Sequence, residues 1–178
     1  MKIDLLTCSK DFFRGALDAP KKEGILAILN ACDKAAITLP NQVAYVLATA
    51  YHESAGHMRG IDEFGHGRNH KYGAMDPETG KIYFGRGIVQ LTWRDNYRRF
   101  SPIAGVDLVH QPELANRLDI SAKIICFGMK RAMFTGVGLD RYIVPGHADF
   151  LNARKIVNGL DASVKIADYA VRFSHLLS

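Results

Sequence analysis

No run of about 18 apolar residues occurs in the chain, so neither a membrane-spanning helix nor stable membrane insertion is expected. The N-terminal stretch "MKIDLLTCSKDFFRG" has no apolar core of signal-peptide length before its charges, so Sec export is not expected. Cysteine is scarce: Cys8, Cys32 and Cys126 are odd in number and widely spaced, and no CxxC occurs. That pattern excludes a disulfide framework and a structural zinc site, and it suits a reducing compartment. Repeats and low-complexity segments are also absent. Charge of one sign is only mildly in excess: 23 Lys and Arg against 18 Asp and Glu give +5. No Lys/Arg block or nucleic-acid motif stands out, so nucleic acid is not an expected partner. The small basic excess fits either an anionic partner, such as a wall polymer, or simple solubility.

What is present is 178 residues, 48% of them hydrophobic, enough for one domain (1–178) with a buried core. Helical spacing runs through residues 10–17 and 22–35. "TLPNQ" reads as a helix start with Thr38 as cap and Pro40 in the first turn. The helix it opens, about 40–54, is apolar almost all round, which marks a central element. It ends on "HESAG", with Gly56 as a stop. Residues 56–80 are rich in Gly, His, Arg and Asp, and "KIYFG" is expected to pair as a strand with "KYGAM" across the "DPETG" turn. After Trp93 helical patterns return: near 112, across "DISAKIICFGMKRAMF", across "HADFLNARKIVNG" and across "ASVKIADYAVRFSHLL". A mainly α chain with one polar, glycine-rich segment follows, and such segments between helices are where sites usually lie.

Three features could carry chemistry. "HESAGH" has the look of the HExxH zinc motif, but His52 and His57 stand at i and i+5, about 140° apart on a helix rather than the about 40° of i and i+4. His66 and His70 add no known ligand spacing, so a metal is not expected, and a solvated loop is the simpler reading. The second feature is a pair of carboxylates, Glu53 and Glu63. Cleaving a glycosidic bond takes one protonated carboxyl and one ionised one. Glu53 follows Val46, Thr49 and Ala50 on its face of an apolar helix, where desolvation and the helix dipole favour a proton. Glu63 sits among Asp62, His66 and Arg68, where an ionised base fits. The competing reading makes Glu53 a helix-end residue in an ion pair with an arginine. The third feature is "YFGRGIVQLTWRDNYRRF". Gly85 and Gly87 would let backbone approach a ligand. Gln90, Thr92, Trp93, Asn96 and Tyr97 offer the amides, hydroxyls and rings that bind sugars, or else a packed turn with Trp93 in the core.

"AYHESAG", "YFGRGIVQLTWRDNYRRF", "VDLVHQPELA" and "NARKIVNGLD" occur in the order found in glycoside hydrolase family 19, and the chain most resembles the small phage and prophage lysins of that family. The resemblance spans about residues 45–161. It implies a lysozyme-like α-helical domain with a small β-hairpin beside the cleft. It also implies inverting hydrolysis of β-1,4-linked N-acetylated amino sugars without metal or cofactor. By the same resemblance Glu53 is the general acid, Glu63 the general base, and Thr92 the hydroxyl that holds the attacking water. Gln90, Asn96 and Asn158 match the family's sugar-binding positions, and Arg154, one turn before Asn158, is expected as a charge partner in the cleft. From its side chain alone Tyr97 is expected to join the sugar-binding set. His52 is expected to support the site from behind rather than to react. The chain lacks the disulfide cysteines and several loops of the plant chitinases, which favours peptidoglycan over crystalline chitin. The expected role is a monomeric endolysin. It would wait in the host bacterial cytoplasm and depend on a holin to reach the glycan strands. The other readings are a chitinase of soluble chitooligosaccharides, a catalytically silent wall-binding module and, more remotely, a metallopeptidase.

Overall fold

In the computed structural model, which describes residues 1–178, the axis is α3 (Pro40–Glu53), buried without interruption from Gln42 to Ala50. A helix with no polar face needs neighbours on every side. They are α2 (Ala19–Lys34), α5 (Leu118–Lys130) and, most extensively, α6 (Ser163–Ser174). Ile25, Ile28, Val43, Leu47, Ile125, Met129, Ile166 and Phe173 form the main core between them. Helices α1 (Leu5–Phe13) and α4 (Arg94–Ala104) flank it. Tyr97, Phe100 and Ala104 of α4 pack with Leu91, Leu108, Ile120 and Ile124 as a second cluster. No helix is long and apolar enough to cross a membrane. All three cysteines are free and buried, with Cys32 Sγ 3.5 Å from Cys126 Sγ.

The mainly helical, lysozyme-like class is what the structure has, and several boundaries differ from the sequence reading. The first helix begins earlier, because Asp4 caps it by accepting from Leu6 N (3.0 Å) and Thr7 N (3.1 Å). Leu39, not Thr38, holds the N-cap position of α3, with no side-chain cap bond. Ala55, at φ 50°, takes the left-handed turn after α3, and Gly56 N–H returns to Tyr51 O at 2.8 Å. The region near 112 is a single 3₁₀ turn, Pro112–Asn116. The expected helix over "HADFLNARKIVNG" is replaced by the end of a tight hairpin, β3 (Ile143–Val144) against β4 (His147–Ala148), and a 3₁₀ turn, Asn152–Ile156.

The expected strand pairing also differs. "KYGAM" forms a 3₁₀ turn, Lys71–Gly73, and does not pair with "KIYFG". Instead β1 (Ile61–Asp62) pairs antiparallel with β2 (Arg86–Gly87), with Asp62 opposite Arg86. Arg86 also bridges to Leu91 on its other side (Leu91 N to Arg86 O, 2.8 Å). Segment 85–87 is therefore the middle of three short antiparallel runs, and everything from 63 to 84 is a loop hung on them.

Candidate active site

The three runs decide where the candidate residues stand. Beyond Asp62–Arg86 the register continues through Glu63 and Gly85, whose backbones bond (Glu63 N to Gly85 O, 2.7 Å). Past the Arg86–Leu91 bridge Trp93 N bonds to Tyr83 O (3.0 Å), so Thr92 stands opposite Phe84 and Gly85 together, in a bulge on the other side of this segment. Neighbouring strands lie about 4.8 Å apart, so Glu63 and Thr92 flank a residue without a side chain. A Cβ on Gly85 would stand 2.8 Å from Gln90 Oε1 and 3.3 Å from Glu63 Oε2. The glycine thus admits the protein's own carboxylate and amide, where the sequence suggested an approaching ligand. Gly87 similarly makes room for Ala115 O and Ser121 Oγ.

Glu63 is held at both oxygens. Tyr72 Oη donates to Oε1 at 2.7 Å and Gly85 N to Oε2 at 2.9 Å. Gln90, in the left-handed region at φ 53°, donates Nε2 to Ile61 O (3.0 Å) and Gly87 O (3.1 Å), pinning the loop to β1 and leaving Oε1 free of those bonds. Asn96 Nδ2 donates to Thr92 O at 2.8 Å and so fixes the turn into α4. Gln90, Thr92 and Asn96 line one groove of about 150 Å³ with Leu91, Phe134 and Val157. Val157 brings the "KIVNG" segment to that groove, and the neighbouring Asn158 is exposed, its Oδ1 accepting from Gly159 N. Trp93 is half exposed rather than in the core.

Glu53 ends α3 over Val46, Thr49 and Ala50, all buried as the helical spacing requires. Its surroundings differ from the apolar setting expected from sequence. Arg154 Nη1 reaches Glu53 Oε1 at 2.5 Å, and the same guanidinium grips Asp161 through Nη2 (3.1 Å) and Nε (3.0 Å to the backbone oxygen). The cause is tertiary: the 3₁₀ turn Asn152–Ile156 carries Arg154 to the end of α3 from 101 positions away. Burial opposes the charge on Arg154, but Glu53 and Asp161 outweigh it and hold the group protonated. The ion-pair reading of Glu53 and the charge-partner reading of Arg154 describe one arrangement. Arg154 is only 2% exposed, so it meets Glu53 and not a sugar. Glu53 Oε2 has no protein partner.

Two further expectations change. Tyr97 is fully buried, accepting from Arg86 Nη1 (3.1 Å) and donating to Phe84 O (2.7 Å), and burial pushes its phenol up to about 12. It props Arg86 beneath β2 and cannot stack on a sugar. Its spacing with Phe100 and Ala104 along one face of α4 was the sequence signal for a core position. His52 is half-buried, and burial lowers its pKa against the pull of Glu53, so a neutral ring is favoured. No three His, Cys, Asp or Glu groups converge as metal ligands. His66 and His70 instead stack on Phe84 and Tyr72. Sequence reasoning missed Tyr72 and Asp161. Asp161 lay in the quoted "NGLD", but nothing local revealed its partner.

These features define a class: a helical, lysozyme-like domain with two carboxylates held separately on a helix end and on a loop. Among solved structures the fold is that of chitinases. Chitinase C from Streptomyces griseus superposes with TM-score 0.62 over 89% of this chain and 70% of its own, at 20% identity. A bacterial family 19 chitinase gives 0.59 over 88% and 85%, at 21% identity. In sequence the chain is similar to an endochitinase of Arabidopsis thaliana, 38% identical over 92 residues, which is 45% of this chain and 34% of that protein. Endochitinase 1 of Theobroma cacao is 36% identical over 91 residues, 43% of this chain and 28% of that protein. The chain thus matches about a third of the length of these curated relatives. No protein-family model matches it.

Proposed function

We propose that this protein is a glycoside hydrolase that cleaves β-1,4 bonds between N-acetylated amino sugars of bacterial peptidoglycan with inversion. The observation that carries the reading is the separate tethering of two carboxylates, Glu53 by Arg154 and Glu63 by Tyr72 and Gly85. The likeness to chitinases in fold and in local sequence supports it. Arg154 fixes Glu53 Oε1, which leaves Oε2 to hand the proton to the leaving oxygen. Water attacks the anomeric carbon from the opposite face and gives its proton to Glu63 as the glycosidic bond breaks. Thr92, across Gly85 from Glu63, orients that water. Gln90, Asn96 and the exposed Asn158 bind acetamido and hydroxyl groups along the groove.

The biological role we propose is that of a phage-type endolysin, acting as a monomer. It is held in the host cytoplasm until a holin opens the membrane, then acts on the wall. Its mild basic excess suits an anionic wall. The similarity to endochitinases favours a second reading, hydrolysis of chitooligosaccharides. Mass spectrometry of digested peptidoglycan and of chitooligosaccharide separates them. New reducing sugar ends from peptidoglycan support the endolysin, and cleavage of chitooligosaccharide alone supports the chitinase. New free amines would mean an amidase or peptidase and would end the proposal.

Thr92→Ala is expected to lower turnover about tenfold with little change in KM, as for loss of one good hydrogen bond in the transition state. Thr92→Ser should keep part of the activity. An Ala variant as active as the parent would remove Thr92 from the mechanism.

A further inference from the structure

Tyr72 lies in the loop between β1 and β2, yet several constraints converge on it. Its hydroxyl donates to Glu63 Oε1 at 2.7 Å. Its ring stacks on His70 at 4.9 Å and 5° and meets the edge of Trp93 at 5.4 Å and 76°. The backbone is brought there by a close crossing of two glycines. A Cβ on Gly73 would fall 1.9 Å from Gly67 O, and one on Gly67, at φ 76°, would fall 3.1 Å from the Tyr72 ring. Only glycine fits at either point. Trp93 is itself at φ 68°, ψ 134°, a region seldom occupied by a residue with a side chain. Its N–H is fixed to Tyr83 O at 3.0 Å. A strained residue directly after Thr92 therefore forms one wall of the Tyr72 ring.

We infer that Tyr72 is the positioning residue for Glu63, selecting which lone pairs of that carboxylate face the attacking water. This rests on the proposed role of Glu63 as base. A carboxylate offers about four acceptor sites. Tyr72 takes one on Oε1 and Gly85 N takes one on Oε2, so two remain, in directions set by those donors. With the Gly85 bond alone the carboxylate could turn about its bond to Cγ. The second donor stops that rotation. Tyr72 touches no reacting atom and acts only through Glu63. The bond also binds the phenol more firmly to its proton: hydrogen bonding to Glu63 raises its pKa above the usual tyrosine value. The donor therefore stays a donor throughout the neutral range.

Tyr72→Phe keeps the ring against His70 and Trp93 and deletes only the hydroxyl. A hydrogen bond to a charged group corresponds to about 10- to 100-fold in rate. The expected result is a fall in kcat of that size, with KM and the melting temperature near those of the parent. The decisive comparison is a double-mutant cycle with Glu63→Ala, on the residual turnover of that variant. If Tyr72 acts through Glu63, adding Tyr72→Phe to Glu63→Ala changes nothing further. An equal loss in both backgrounds, a change confined to KM, or an unaltered kcat in the single variant would overturn the inference. If Glu63→Ala itself keeps full activity, the assignment of the base fails, and that outcome is read from the single variant alone.

Discussion

Glu53→Gln should lower turnover by about 10² to 10⁴, the usual cost of removing a general acid. The substitution is nearly isosteric and keeps an oxygen to accept from Arg154 Nη1, so the end of α3 should stay in place. What the amide cannot do is donate the proton that the proposed mechanism takes from Glu53. The check is turnover on wall substrate beside a thermal melt. A melting temperature near the parent's with turnover at the background level is the expected pair of results. Near-parental turnover would show that Glu53 serves only as the ionic partner of Arg154.

Arg154→Ala should cost both stability and rate. Arg154 has a side chain only 3% exposed and is shared between Glu53, 18% exposed, and Asp161, 63% exposed. Removing one member of a fully buried pair costs about 3–5 kcal/mol. Water reaches both carboxylates here, so screening reduces that to roughly 1–3 kcal/mol. For a chain of this size each kcal/mol is about 2–4 °C in Tm. A drop of several degrees is therefore expected, with a loss of at least about tenfold in kcat as Glu53 loses its orientation. Arg154→Lys restores charge but not the fork that bonds Glu53 and Asp161 together, so it should recover stability more than rate. A kcat unchanged in the Ala variant would make the pair purely structural.

How far the sequence foretold these sites follows from the range of the interactions. The unbroken apolar face of residues 40–53 specifies a central helix, and Glu53 must then lie at its end. The "GRGIVQLT" run marks Gln90 and Thr92 as candidates by side-chain type, and the structure sets both in one groove. Strands of two residues are too short to show an alternating pattern, so the β1–β2 pairing leaves no signal in the sequence, and the expected pairing of "KIYFG" with "KYGAM" does not form. The turn holding Tyr72 depends on Gly67 meeting Gly73, a contact that neither glycine announces by composition. Tyr97 shows the opposite case: its residue type is common in sugar sites, but its i, i+3, i+7 spacing with Phe100 and Ala104 marks a core face, and the core is where it lies.

The proposed mechanism stands on water being activated by one carboxylate while the other protonates the leaving oxygen, and inversion is its direct consequence. Such a pair leaves room for water, with carboxyls about 6.5–9.5 Å apart against about 5–5.5 Å for retention. The measurement is proton NMR of the first product formed from a β-1,4-linked N-acetylated oligosaccharide, recorded before mutarotation equilibrates the new reducing end. The α anomer appearing first is the predicted result. The β anomer appearing first would contradict the account, because Glu63 would then be acting as a nucleophile rather than as the base for water.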